Sequence, residues 1–283
     1  MSLKTIGNIL KIVLAACVFA GSMPPSSALA AEVIKIGGTG CGLGIMKKLG
    51  EAFEKKYRGT KVQVVPSLGS KGGIKAVAKD AVDIGISSRP LEDDEKRYGL
   101  AVIEFARTPF IIVTNKSDRV SNLSTEDLVK IYAGRINTWP DGRRIRPVLR
   151  PEGDIDTSLI RQMSPEMDKA VTAEMSREGM LTAITDQDAT STVMKTPGGL
   201  GFSTLGQVIS EKLPLNIVRL NGVFPTTEAL SNGSYKIDKP LLFLTRPAPP
   251  AKVRDFLHFV DSPAGMRILK ESRYLVTRQK TGR

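Results

Sequence analysis

The sequence predicts an α/β protein built on an open, mainly parallel sheet, and three observations carry that expectation. Two stretches repeat the order strand, glycine loop, helix. Val33–Ile36 (VIKI) runs into the loop Gly37–Gly44 and then a pattern with Ile45, Leu49, Ala52 and Phe53 on one helical face. Lys61–Val65 (KVQVV) runs into a loop of Ser, Gly and Lys and then a helix whose stripe is Ile74, Val77, Ala78 and Ala81. The second unit closes on Asp83–Pro90 (DIGISSRP), after a crossover long enough to lay that strand parallel to its predecessor. The third observation is Pro109–Thr114 (PFIIVT), nearly all apolar, as in a strand buried on both faces.

Such units leave free backbone N–H groups at each helix start, aimed out of the carboxyl edge of the sheet, and in open α/β sheets ligands bind at that edge. The donors and the helix dipole favour an anion. Gly69, Gly72 and Gly73 let backbone approach it without a Cβ in the way, Ser70 adds a hydroxyl, and Ser88 with Arg89 ends the neighbouring strand at the same edge. The glycines of the first loop do not fall in the G-x-G-x-x-G register, which argues against a dinucleotide.

The first thirty residues read as a secretory signal. Lys4 and Lys11 precede an apolar run, Ile12–Gly21, and a small-residue tail ends in Ala28-Leu29-Ala30, with cleavage expected after Ala30. The apolar run is too short to span a bilayer. Leu14-Ala15-Ala16-Cys17 also fits a lipoprotein signal, which would anchor the chain through Cys17. No later stretch has the length and apolarity of a transmembrane helix.

The formal net charge is +12, and the leader accounts for two of the lysines. A basic balance suits an anionic partner. The charges are scattered and the aromatics are not interleaved with them, which argues against nucleic acid. Beyond the leader Cys41 has no partner cysteine, so no disulfide framework is expected. The single histidine, His258, excludes a multi-histidine metal site and argues against a histidine-based triad, and its position off the apolar stripe reads as surface or boundary.

Further along, Val102–Ala106 and Pro109–Thr114 read as two strands, and Ser124 with Asp127 as the cap of a helix reaching Ala133. Asn137–Gly142 is a turn, and Ile145–Leu149 a strand leading into Arg150–Thr157 (RPEGDIDT). Thr157–Ile184 has a helical pattern in which Met163, Met167, Met175 and Met180 read as core filler. Gly198–Phe202 (GGLGF) turns into a short strand, Leu215–Leu220 and Leu241–Thr245 are strands, and two helices close the chain, one with Val253, Phe256, Leu257 and Val260 inward, the other capped at Ser262-Pro263.

Taken together, G-S-x-G-G-I-K-x-V (Gly69–Val77), D-I-G-x-x-S-R-P (Asp83–Pro90), S-N-L-x-x-x-x-L-x-x-I-Y-x-G-x-I-x-x-W (Ser121–Trp139), R-x-x-G (Arg150–Gly153) and G-G-L-G-F resemble, in order and spacing, the phosphate-binding proteins of ABC transporters, the PstS type. The resemblance spans most of the chain after the leader. It implies the two-lobe periplasmic-binding-protein fold, with mixed, mainly parallel sheets and a ligand cleft between lobes. The crossover strands would run near Phe110–Thr114 and Lys239–Leu244. The lobes would be residues 31–112 with 240–283, and 113–239. By the family pattern the ligand would be inorganic phosphate or a related oxyanion, bound by Thr39, Gly40 and Cys41, by Ser70, by Ser88 and Arg89, and by Arg150. The resemblance further implies no cofactor, no metal, no catalytic residues, a periplasmic or secreted monomer, and a transporter permease as partner.

Two departures stand out. The family pattern G-S-G-T after the arginine is here Gly153-Asp154-Ile155-Asp156-Thr157, so carboxylates replace both hydroxyls unless Thr157 shifts by one residue. An ionised carboxylate beside a dianion costs a few kcal/mol at intermediate dielectric (~20). Either the acids face away as helix caps, or one accepts the proton that phosphate carries and sulfate lacks. Second, the first loop offers Thr39-Gly40-Cys41-Gly42 where hydroxyls are usual, and a thiol at a helix start is open to a lowered pKa. A sensor or adaptor of the same fold with another ligand is therefore an alternative expectation, and an enzyme using Cys41 or the Asp154/Asp156 pair a weaker one.

Overall fold

The computed structural model describes residues 32–277; the expected leader and Cys17 lie outside them. In chain order the strands and helices begin with β1 (Glu32–Gly38), α1 (Leu43–Lys56), β2 (Thr60–Val64), α2 (Gly69–Ala78), β3 (Ile84–Ser87), α3 (Asp93–Lys96) and β4 (Ala101–Asn115). They continue through β5 (Asn122–Leu123), α4 (Thr125–Tyr132), β6 (Arg146–Leu149), α5 (Ile155–Arg161), α6 (Pro165–Met175), β7 (Leu181–Thr182), α7 (Asp186–Lys195), β8 (Gly199–Thr204) and α8 (Leu205–Ser210). The last are β9 (Leu215–Leu220), α9 (Thr227–Ser231), β10 (Asp238–Thr245), α10 (Ala251–Val260), α11 (Pro263–Glu271) and β11 (Leu275–Val276).

The main path of the sheet is β2-β1-β3-β10-β4-β8-β6-β7. Its two ends are parallel, as the crossover units require: β1 pairs with β2 and β3, and β6 with β7 and β8. Its centre is antiparallel, because β10 and β4 run against their neighbours. The two strands expected at 102–106 and 109–114 are one continuous strand of 15 residues. Pro109 does not break it. Registry with β10 ends at Pro109 and registry with β8 starts at Phe110, so the residue without an N–H stands where the ladder changes partner.

That change of partner separates two cores and gives the molecule two lobes. On one side Ile34, Ile36, Phe53, Phe105, Phe243 and Phe256 pack together, with the Phe105 and Phe243 rings stacked at 3.9 Å. On the other Phe110, Ile112, Leu128, Tyr132, Trp139, Leu200 and Phe202 do so, with Phe110 and Phe202 at 5.1 Å.

The helical run expected over 157–184 is broken. Ser164 accepts from the backbone N–H of Met167 at 3.0 Å and Pro165 occupies the first helical turn, so α5 and α6 are separate helices, and the chain then enters β7. Met167 is in the core, but Met180 is 36% exposed and fills nothing. The helix capped at Ser124 stands as the sequence implies: Asp127 N–H donates to Ser124 Oγ at 3.0 Å, and Ser124 N–H donates back to Asp127 Oδ2 at 2.9 Å. Replacing Ser124 by Ala removes one half of this box, and we expect a loss of about 1 kcal/mol in urea unfolding with no change in the slope of the transition.

Candidate functional site

The carboxyl ends of β1, β3 and β6 lead into loops that face one another across a cavity of about 180 Å³. Thr39 and Ser70 line its first-lobe wall; Arg150 and Asp154 line the opposite wall together with Asp186 and Lys239.

On the first wall the hydroxyls form a chain. Ser88 N–H donates to Ser70 Oγ at 3.0 Å, the two serine hydroxyls lie 3.2 Å apart, and Thr39 Oγ1 lies 3.4 Å from Ser88 Oγ. The glycines have a different division of labour from the expected one. Gly69, at φ +66°, has open space where a Cβ would stand, so it makes the turn into α2. A Cβ on Gly73 would stand 2.7 Å from Gly38 Cα, so that glycine lets helix and strand loop touch, and is not there for a ligand.

Arg89 also faces the cavity, but its guanidinium is already occupied. Nη1 and Nη2 donate to the two oxygens of buried Glu95 at 2.7 and 2.8 Å, and Nη1 also donates to Pro90 O at 2.9 Å. The hydrogen bond from Arg89 holds the Glu95 carboxyl below the usual carboxylate range, against the effect of burial. Gly40 serves the site through its backbone: Gln187 Nε2 donates to its carbonyl at 2.9 Å, and a Cβ there would run into Asp186 and Gln187. Cys41 is buried in the first core, and burial pushes its thiol up to about 12. A thiol in that state is neither a nucleophile nor an anionic ligand, so the enzyme reading loses that candidate.

On the second wall Arg150 is the anchor. Its Nη1 donates to Ala183 O at 3.0 Å, its Nη2 to Asp154 Oδ2 at 2.7 Å, and its buried Nε has no hydrogen-bond partner among the described residues. Asp154 also caps α5, accepting from Asp156 N–H at 2.9 Å. Thr157 does not take the place of the missing hydroxyls: its Oγ1 donates to Arg150 O and Pro151 O, both at 3.0 Å, and shapes the loop. Asp156 is buried outside the cavity lining and forms an ion pair with Lys239, which lines it.

Lys239 and Asp186 are absent from the sequence-based set. Lys239 is the second residue of β10 and only 1% exposed, and its Nζ lies 3.4 Å from Asp186 Oδ1 in the first turn of α7. The signal for α7 is Thr185-x-x-Asp188, whose side chains and N–H groups form a reciprocal cap. Burial opposes charge at all three groups. It pushes the Asp156 carboxyl up to about 6, with Asp186 and Asp154 adding and Lys239 opposing. At Asp186, Lys239 and Arg150 more than offset burial and hold the carboxyl below its usual range. At Lys239 the two aspartates outweigh burial and keep the ammonium charged. Asp154 and Asp156 are thus committed to Arg150 and Lys239, and among the described residues no group of three or more His, Cys, Asp or Glu could hold a metal ion.

Past Gln187 the cleft opens into a wider groove of about 900 Å³ lined by Lys47, Lys48, Glu51 and Glu211. It is the larger space and has hydroxyls of its own in Ser67, Thr185 and Ser210, but no guanidinium lines it and Glu51 and Glu211 do, which is why the small cavity is the candidate site for an anion.

Comparison with known proteins adds a lineage to this geometry. The family described as "PBP superfamily domain" matches residues 24–264. The phosphate-binding protein PstS of Borreliella burgdorferi is 26% identical over 253 residues, covering 86% of this chain and 90% of the relative. PstS of Staphylococcus saprophyticus is 27% identical over 236 residues, covering 77% and 70%. A Clostridium perfringens protein solved with bound phosphate superposes with a TM-score of 0.74 at 23% identity, covering 87% of this chain and 100% of that one, which shows the same fold.

Lys239→Met leaves two buried carboxylates without the ammonium they share, and only Arg150, already paired with Asp154, near them. We expect a loss of about 3–5 kcal/mol at neutral pH. Both carboxyls would then titrate above their unfolded values, so the lost stability returns as pH falls through those raised values; thermal melts from pH 8 to pH 5 (a range of about 3 units) check both magnitude and sign.

Proposed function

The chain belongs to the PBP superfamily, and we propose that it is a secreted substrate-binding protein that captures an oxyanion, phosphate foremost, and delivers it to the permease of an ABC transporter. The observation that carries this reading is the convergence on one cavity of neutral donors from the first lobe (Thr39 and Ser70, linked by Ser88) and buried cations from the other wall (Arg150 and Lys239). The names of the PstS relatives and the phosphate bound in the Clostridium protein support the same cargo. Hydroxyls give directional hydrogen bonds to a tetrahedral anion, and charge-assisted bonds from a guanidinium add the strength.

In this reading the first lobe is residues 31–112 with 240–283, the second is 113–239, and the chain passes between them on β4 and at the start of β10. The exchange of ladder partners at Pro109 supports that boundary. The protein works as a monomer outside the cytoplasm, free or held by a lipid on Cys17; among the described residues no helix is long and apolar enough to cross a membrane.

A second reading has one observation in its favour. Three carboxylates, Asp154 and Asp186 at the inner wall and Asp156 behind it, stand against two cations (Arg150, Lys239), an unusual balance for an anion receptor. It fits a sensor or adaptor of the same fold that holds another ligand.

Thermal melts of the mature protein with phosphate, arsenate, sulfate and molybdate separate the readings. A ligand at about a hundred times its Kd adds roughly 2.7 kcal/mol, several degrees for a chain of this size. We expect a rise with phosphate and arsenate; no rise with any oxyanion rejects the receptor and favours the sensor. Of the two loop acids, only Asp154 lines the cavity. It is the candidate acceptor for the ligand's proton, so Asp154→Asn is expected to weaken phosphate about tenfold or more while sparing sulfate, as read by titration calorimetry; unchanged selectivity removes that role.

A further inference from the structure

Among the described residues, Arg150 and Lys239 are the buried cations, and each already has a counter-ion. Lys239 has two, Asp156 and Asp186, which are 1% and 6% exposed. One ammonium between two carboxylates leaves an excess negative charge inside the protein. Arg150 does not cancel it, because Asp154 neutralises that guanidinium and Arg150 Nε is 4.0 Å from Asp156. A dianion placed beside Lys239 therefore enters a region whose fixed charges already sum to a negative value. Moving Asp186 out of the way does not relieve this. It sits in the first turn of α7, and its neighbour Gln187 is tied to the Gly40 carbonyl and to Glu211.

Protonation relieves it. We propose that the Asp156–Asp186 pair takes up one proton when an oxyanion dianion binds beside Lys239, so that the ligand replaces a carboxylate charge on that ammonium. The inference rests on the oxyanion reading above and specifies how the site accepts such a ligand. The charged groups around the pair are Lys239 from β10, Arg150 from the loop after β6, Asp154 at the start of α5 and Glu211 just after α8, a further acid near Asp186; Cys41, from the turn before α1, is a neutral thiol and Tyr274 a neutral phenol. The first proton goes to Asp156, which burial and the two neighbouring carboxylates already bring to about 6 without ligand. A dianion adds a charge of the same sign and raises it further.

The sign follows. Above about pH 6 the free protein holds Asp156 ionised and the complex holds it protonated, so affinity for a dianion rises as pH falls from about 8 and levels off below about 6. The test is titration calorimetry with inorganic phosphate at about pH 7.5 in buffers of different ionisation enthalpy, for the mature wild-type protein, Asp156→Asn and Asp186→Asn. Wild type is expected to take up about one proton more than Asp156→Asn, since phosphate's own titration contributes to both. Equal proton counts in wild type and both variants overturn the proposal. An infrared difference spectrum of wild type with and without saturating phosphate needs no variant. A new protonated-carboxyl band supports the proposal, and its absence at saturation overturns it. Binding without proton uptake rejects this inference alone; no binding of any oxyanion rejects it together with the receptor reading.

Discussion

A lysine ammonium 1% exposed in the centre of the sheet is the constraint on which the second wall of the site is built. A charge in that position is tolerated only with counter-charges and hydrogen bonds of its own. Asp156 and Asp186 supply them from the first turns of α5 and α7, where the free N–H groups of a helix start also favour a carboxylate. The ion cluster thus fixes where two helices of the second lobe begin relative to a strand that pairs with β3 and β4. The cavity inherits its shape from that placement, since Lys239 and Asp186 form part of its lining.

The same rule explains the odd loop after β6. Where hydroxyls are usual in the family pattern, Asp154 caps α5 and holds Arg150, and Asp156 holds Lys239. The carboxylates are answers to buried cations. On the other wall Arg89 is answered by Glu95 in the same way, with a two-point fit that leaves its terminal nitrogens committed. A basic chain thus presents a cavity in which each buried cation has a partner.

What the sequence revealed is what local patterns encode. Strand, glycine loop and helix follow from periodicity and from residues such as Gly69: Thr39, Ser70 and Ser88 share one edge because each follows a strand of the parallel set β1, β2 and β3, and Arg150, at the end of the oppositely directed β6, meets them across the cavity. The ion cluster is not local. Lys239 reads as one polar residue at the start of an apolar strand, and its partner Asp186 is 53 residues away. No spacing rule links them. Elsewhere the signals are present but outweighed: the sequence pattern gives two strands, the second starting at Pro109, where the structure has one strand that changes ladder partner, and Ser164-Pro165 lies under an apolar periodicity that continues across it. The Arg89–Glu95 pair turns a cation expected to meet the ligand into a neutral structural clamp, a difference that only side-chain geometry reveals.

The two walls therefore contribute different physics. The first lobe brings hydroxyls and backbone N–H groups, its Arg89 cancelled by its own Glu95, and its Lys71 exposed at the rim where water and salt screen it. The uncancelled charge lies on the other side, in Lys239 and the acids around it. Neutral hydroxyls lose little when water is replaced by an anion that accepts their hydrogen bonds, whereas buried charges respond to every change in the local sum. In the oxyanion reading proposed above, recognition of shape belongs to the Thr39–Ser88–Ser70 chain, and recognition of charge to the ion cluster. The cluster is assembled from α5, α7 and the crossover strand β10, so its charge balance is fixed by the fold of that wall, independent of the hydroxyls that face it.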